Sequence, residues 1–311
     1  MFDVPFLVGC GGLRIPHIGI GTYELRGEEC TKAVLVALQL GFRLIDTAAG
    51  YHNEDYVGAG IRESGVPRSE LFVVVKIAPK ATVSEQKVEE SIRGSVRRLG
   101  IDYADCVLIH WPGCGGRKPH EAEEHKAARR RCWEVMSVLK QEGLVRHLGV
   151  SNFSSRHFAA LSEDGRESSL FQQSEAIRPA INQIELHPLC TQKEVCIYCR
   201  ERGIILQQYS PLGQCNPRLI EHPVLCEAVK EFPGYSVHSV LLMWGLSQGF
   251  CVIVRSRSDE HLKQNWATAR DFFTDGALSA KQRERLSRLC DDMRVNDAED
   301  LHFCWHSSNI E

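Results

Sequence analysis

Apolar residues along this chain fall into short runs near residues 18–21, 43–46, 71–76, 104–109, 146–150, 180–184, 204–208 and 250–254, each separated by a stretch of helical spacing. Runs of this length, rich in Val, Ile and Leu, predict buried strands. The clearest helix lies between the third and fourth runs, where Val88, Ile92, Val96 and Leu99 share one face. Thr82 with Glu85 predicts a capping box at its start, and Gly100 its end. Thr191 with Glu194 and Ser279 with Gln282 repeat that start signal. A hairpin is expected over about residues 5–16. Eight strand–helix alternations without a compositional break predict one domain over 1–311, of the α/β class, built on a closed parallel barrel.

In such a barrel the chemistry sits at the carboxyl ends of the strands. Asp46, Lys76, His110, Ser151 with Asn152, Gln183, Tyr209 and Arg255 all fall at or just past the predicted ends of strands two through eight. Pattern and polarity thus select the same face.

Three of these, Asp46, Lys76 and His110, form a proton-handling group with Tyr51. A phenol near its reference pKa of about 10 is a poor acid at neutral pH. A lysine about 4 Å away, at an effective dielectric near 20, contributes roughly 4 kcal/mol, or about three pKa units in favour of phenolate. Asp46 is the candidate that keeps Lys76 charged. Taken singly, each residue has a plainer reading: a packed tyrosine, or an ion pair with no further role.

Composition narrows the class. The 311 residues carry 37 Lys plus Arg against 40 Asp plus Glu, a net charge of −3, which gives no footprint for a nucleic-acid backbone. The first residues, MFDVPFLVGCGGLRIP, show no basic leader, and no run approaches the roughly 18 apolar residues of a membrane span. Thirteen scattered cysteines, an odd number, favour a reducing compartment over a disulfide framework. A cytoplasmic protein that acts on a small molecule, as a monomer, is expected.

The tetrad and its flanking strings resemble the aldo-keto reductase family. The similarity runs through GIGTYE (19–24), DTAAGYHNE (46–54), VLIHWP (107–112), GVSNF (149–153), NQIELHP (182–188) and QQYSPLG (207–213), and so covers almost the whole chain. What the resemblance implies is a (β/α)₈ TIM barrel whose bottom is closed by the N-terminal β-hairpin. It also implies NADP(H)-dependent reduction of aldehydes and ketones. Tyr51 would be the general acid, Lys76 its pKa modifier, Asp46 the holder of the ammonium, and His110 a hydrogen-bond partner of the substrate carbonyl. Ser151, Asn152 and Gln183 would bind the nicotinamide amide, Tyr209 would stack on its ring, and Gly21, Thr22, Tyr23 and Asp46 would face it. Ser210, Pro211, Leu212 and Gly213 would contact the pyrophosphate. Substrate would meet Tyr23, Tyr51, His110 and Trp111, the loop after strand four, and a carboxyl-terminal tail around Phe303 to Trp305.

At the adenosine end, VIVRSRSDEHLKQN (252–265), the chain departs from the family pattern. Val254 and Arg255 replace a proline and a lysine, and His261 replaces an arginine. Arg255 and Ser256, with Arg257, still suit a 2′-phosphate, since guanidinium pairs with phosphate bidentately. Gln264 and Asn265 match positions near the adenine. The lost arginine leaves NAD(H) open as a second cofactor.

Other matches fail on context. GIGTYE has Glu24 where a dinucleotide fingerprint needs glycine. GLSQG (245–249) precedes a strand, the reverse of a nucleophile elbow. HEAEEH (120–125) would set its histidines about 140° apart on a helix. Cys196 and Cys199 form a lone CxxC and read as packing. Asn152-Phe153-Ser154 fits a glycosylation sequon but lies at the barrel mouth, and Arg129 to Arg131 read as a solvated helix start. No metal ligand set is expected. The rival to the enzyme reading is a regulatory subunit that senses the NADP(H) ratio on the same barrel with vestigial catalysis; the intact tetrad argues against it.

Overall fold

The computed structural model describes residues 5–161, 178–294, 300–304 and 310. Strands β1 (Phe6–Val8) and β2 (Arg14–Pro16) pair antiparallel as a hairpin. Eight parallel strands then close a barrel: β3 (Ile18–Gly21), β4 (Leu44–Asp46), β5 (Phe72–Ile77), β6 (Ala104–Ile109), β7 (Val145–Ser151), β8 (Ile181–Glu185), β9 (Ile205–Tyr209) and β10 (Cys251–Val254). They follow one another in chain order, and β10 returns to pair with β3, Val254 opposite Ile20. The expected strands are therefore all present, with ends that differ by a residue or so.

Helices surround the barrel: α1 (Gly27–Leu40), α2 (Glu54–Ser64), α3 (Glu85–Leu99), α4 (Ala122–Gln141), α5 (Ser155–Phe158), α6 (Lys193–Glu201), α7 (Pro217–Ile220), α8 (Pro223–Val229), α9 (Val237–Ser247), α10 (Asp259–Phe273) and α11 (Ala280–Met293). Their apolar faces and the outward strand residues, such as Val73, Val75, Val107 and Ile109, form one core. A second core fills the barrel itself.

The two-residue period of the strands positions the site. Leu44, Phe72, Val74, Cys106, Leu108, Ile181, Ile205, Cys251 and Ile253 point inward, and Leu13 and Ile15 of the hairpin pack against them. The hairpin thus plugs the amino-terminal end, where burial of apolar side chains needs a lid. Two residues further along the same strands, the inward positions are Asp46, Lys76, Gln183 and Gln207, all buried. Gly19 and Gly149 complete the packing, since a Cβ would approach Leu44 to 2.4 Å at the first and Leu108 to 2.6 Å at the second.

Several local expectations are corrected. The cap of α3 is Ser84, whose hydroxyl accepts from the Lys87 N–H, while the Thr82 hydroxyl donates to the Pro79 carbonyl. Thr191 does not cap α6; its N–H and hydroxyl donate to Asp300, and Gln192 precedes the helix at φ 41°. Ser279 and Gln282 do form a capping box. Arg129 to Arg131 lie within α4, not at its start: Arg129 is buried against the Pro112 carbonyl at 2.9 Å, and Arg131 donates to the Thr82 carbonyl at 2.7 Å. Cys196 and Cys199 are buried packing residues. All thirteen cysteines are free thiols.

Candidate active site

The carboxyl ends of the strands open into a cavity of about 540 Å³. Lys76, on β5, is fully buried beneath it. Its Nζ donates to Asp46 Oδ1 on β4 at 2.5 Å, to the Thr47 carbonyl at 3.3 Å, and to Tyr51 Oη at 3.2 Å. Tyr51 arrives from a single 3₁₀ turn, Ala49–Tyr51, directly after β4. His110 follows β6 and sets its ring edge-on to Tyr51, with centroids 5.7 Å apart. The structure therefore brings the phenol and the ammonium from separate strands to one opening.

Burial lowers the Lys76 pKa, but Asp46 and Tyr51 more than reverse that, so the net shift is upward and the ammonium stays charged. For Tyr51, burial raises the pKa and outweighs the lowering by Lys76. The expectation of a phenol lowered by about three units is thus corrected: it counted the attraction of the lysine and omitted the desolvation of the phenolate. Tyr51 holds its proton at neutral pH, and Lys76 limits how far burial raises it. His110 is pushed down to about 3, first by burial and then by Lys76. It is a neutral hydrogen-bonding group and adds no positive charge.

His157 is lowered similarly, to about 4, mainly by burial, although the Ile310 carbonyl 2.9 Å from its Nε2 opposes the shift. Both histidines bind protons more readily in the unfolded chain, whose pKa is near 6.5. Their contribution to stability is complete above pH 6.5 and disappears as pH falls toward 4 and 3, at about 1.4 kcal/mol per pH unit for each. Urea unfolding between pH 7 and 4.5 should show this decline; a flat profile would contradict the buried neutral state.

Beside the tetrad, Ser151, Asn152, Gln183 and Tyr209 line the cavity. Gln183 Nε2 donates to Asp46 Oδ2 and to Gln207 Oε1, both at 2.6 Å. Since a carboxylate only accepts, this fixes the amide orientation and leaves Oε1 as the atom Gln183 can turn toward an amide N–H. Asn152 Nδ2 donates to the His110 carbonyl and to Ser151 Oγ, while its Oδ1 accepts from Tyr209 Oη at 2.8 Å. A planar amide inserted here finds polar partners on one side and the Tyr209 ring on another.

Gly21, Tyr23, Trp111, Ser210, Pro211, Leu212 and Arg255 also line the cavity. Tyr23 leans on Tyr51 with centroids 5.1 Å apart and is 52% exposed. Thr22 does not line it; its hydroxyl donates to the Asp46 carbonyl and ties β3 to β4. Gly213 sits behind the wall at φ 51°. Ser256, His261, Gln264 and Asn265 also lie outside the cavity lining, around the start of α10, where His261 N–H meets the Ser258 cap. Of the tail, Cys304 lines the cavity, and Trp305 lies outside the described residues.

Sequence reasoning missed Glu24. It lines the cavity and accepts from Arg255 at 2.8 Å, while Arg257 pairs with Glu29 at 3.3 Å and donates to the Glu24 carbonyl. The signal was available, because closing a barrel makes the loop after the first strand a neighbour of the loop after the last. Both guanidiniums suited to a phosphate are therefore already engaged by carboxylates. No helix among the described residues is long and apolar enough to cross a membrane.

An eight-stranded parallel barrel with a Tyr–Lys–Asp–His group at the carboxyl end is an arrangement suited to moving a proton at a bound oxygen. Residues 17–279 match the Aldo/keto reductase family, and the chain belongs to it. It is 35% identical over 294 residues to glycerol 2-dehydrogenase (NADP(+)) of Saccharomyces cerevisiae, covering 89% of this chain and 88% of that one. It is 35% identical over 285 residues to glyoxal reductase of Bacillus subtilis, covering 91% and 92%. A Bombyx mori aldo-keto reductase solved in complex with NADP superposes with a TM-score of 0.75 at 30% identity, over 93% of this chain and 94% of that one.

Proposed function

We propose that residues 1–311 act as one unit that reversibly reduces aldehydes or ketones to alcohols with NADPH. The observation that carries this is the 3.2 Å contact between Tyr51 Oη and Lys76 Nζ at the floor of the cavity, with His110 alongside. When bound, the cofactor supplies a hydride to the carbonyl carbon. Gln183 Oε1, Ser151 and Asn152 would hold its carboxamide and Tyr209 its ring, and their polar atoms and ring line the cavity as that requires. Ser210 to Leu212 and Arg255 are the candidates for its phosphates.

The carbonyl oxygen would sit between Tyr51 Oη and the His110 ring. As negative charge develops on that oxygen, the neutral imidazole donates a hydrogen bond and the Lys76 charge acts through the phenol. Tyr51 then gives up its proton. An alkoxide is a much stronger base than a phenolate, so the transfer runs downhill even from a phenol whose pKa burial has raised. Lys76, held by Asp46, stabilises the phenolate until solvent restores the proton.

Tyr23 and Trp111 would form the substrate walls, which suit small carbonyl compounds with an apolar side. The relatives named for glycerol and glyoxal support substrates of modest size. Thirteen free thiols support a reducing compartment, the cytoplasm. NADPH and NADH consumption, followed by absorbance with a panel of aldehydes, ketones and quinones, tests the reading. Turnover with at least one compound is expected, whereas cofactor binding without turnover across the panel would instead favour a sensor.

The Glu24–Arg255 pair bears on cofactor preference. Both side chains are partly exposed, so the pair is worth about 0.2–1 kcal/mol. Glu24→Gln should release Arg255 to a 2′-phosphate and tighten NADPH binding by about 1.5- to 5-fold, leaving NADH unchanged. Fluorescence titration with both cofactors checks this.

A further inference from the structure

The loop after β8 and the carboxyl-terminal tail bring three metal-ligating side chains together beside the cavity, outside the tetrad. Glu185 ends β8, Cys190 lies in the loop before α6, and His302 belongs to the tail. One donor atom from each lies within 4.8 Å of the others. His302 Nδ1 is 3.4 Å from Glu185 Oε2 and 3.4 Å from Cys190 Sγ. In a tetrahedral zinc site, bonds of about 2.3 Å to sulfur and about 2.0 Å to nitrogen and oxygen place such donors roughly 3.3–3.6 Å apart. Two edges of the triangle therefore already have ligand spacing.

The plainer reading is that Glu185 anchors the tail, because its carboxylate accepts the N–H groups of Phe303 and Cys304. That explains the carboxylate. It does not by itself call for a thiol, yet Cys190 Sγ lies 3.4 Å from the same His302 Nδ1 that meets Glu185 Oε2. His187 Nε2, fully buried, lies 3.3 Å from Glu185 Oε1, which orients the carboxylate as partners of metal ligands do. Cys190 is fully buried and His302 is largely so.

We propose that Glu185, Cys190 and His302 bind a single zinc-class cation that staples the tail to the barrel mouth. Thiolate, imidazole and carboxylate together select Zn²⁺ or Co²⁺ over Mg²⁺ and Ca²⁺, which prefer all-oxygen sets. Water completes the four ligands. On binding, Cys190 releases its thiol proton to solvent, and His302 keeps its proton on Nε2 while Nδ1 takes the metal. Because Cys304, two residues beyond His302, lines the cavity, the metal would fix one edge of the rim. The three-residue set escapes sequence patterns because His302 lies 112 residues from Cys190.

The test is titration of the chelator-treated full chain with Co²⁺, then Zn²⁺. One equivalent of Co²⁺ should give a thiolate-to-cobalt charge-transfer band, which Zn²⁺ then displaces. Cys190→Ser should abolish the band, and His302→Ala, a change in the tail that spares the barrel, should weaken binding at least ten-fold. Cys215→Ser removes an exposed thiol 3.9 Å from His238 and should leave the band intact. Zn²⁺ should also raise the melting temperature of the wild type more than that of His302→Ala. No thiolate band in the wild type, a band that survives Cys190→Ser or follows Cys215, or equal affinity in His302→Ala would each overturn the proposal.

Discussion

Tyr51→Phe will lower turnover by about 10²- to 10⁴-fold, the usual contribution of a positioned general acid, while NADPH binding changes little. The ring remains to pack against Tyr23 and His110, so only the hydroxyl that meets Lys76 at 3.2 Å is lost. Steady-state rates beside a fluorescence titration of cofactor separate the two effects. His110→Gln should be milder than Tyr51→Phe, because His110 is neutral and supplies a hydrogen bond without charge. A drop in affinity that matches the drop in rate would mean Tyr51 is a binding residue.

Asp46→Asn should destabilise the fold by about 3–5 kcal/mol, because it strands a buried ammonium. Lys76 is fully buried, and of the three groups to which its ammonium donates, Asp46, the Thr47 carbonyl and Tyr51, only Asp46 carries a negative charge. The double variant Asp46→Asn with Lys76→Met removes the stranded charge and should recover much of that loss, though not turnover. Urea unfolding of the wild type and the two variants measures this directly. If Asp46→Asn alone were as stable as the wild type, the ion pair would not be holding Lys76 charged, and the electrostatic part of the account would fail.

The barrel was legible because strand interiors leave a strong signal. Val74 and Lys76, two apart on β5, face the same interior, so a lysine after a run of valines could be placed at the mouth from sequence alone. The helix caps were less legible. Thr82 and Thr191 carry the right residue types, but their hydroxyls meet Pro79 and Asp300, and the second partner is 109 residues away. Tyr51 shows the same limit: charge attraction can be estimated from a pair of residues, whereas desolvation depends on everything packed around them. The adenosine-end residues Gln264 and Asn265 were placed by resemblance, and in the structure they stand on α10 away from the cavity lining.

Glu24 illustrates a signal present and unused. Glu24 and Arg255 stand 231 residues apart in the chain, just past the first and last barrel strands, and become neighbours only because β10 pairs with β3. The charge pair across that seam, with Arg257 and Glu29 beside it, makes the Arg255 end of this cavity less cationic than its arginines alone suggest.

The most direct test follows a labelled hydrogen. NADPH carrying deuterium at the transferred C4 position is mixed with an aldehyde that the panel identifies as a substrate, and the alcohol is examined by mass spectrometry for the wild type and Tyr51→Phe. The account predicts one deuterium on the former carbonyl carbon with the wild type, and almost no alcohol with the variant. Alcohol formed without the label, or labelled alcohol made by Tyr51→Phe at the wild-type rate, would contradict it.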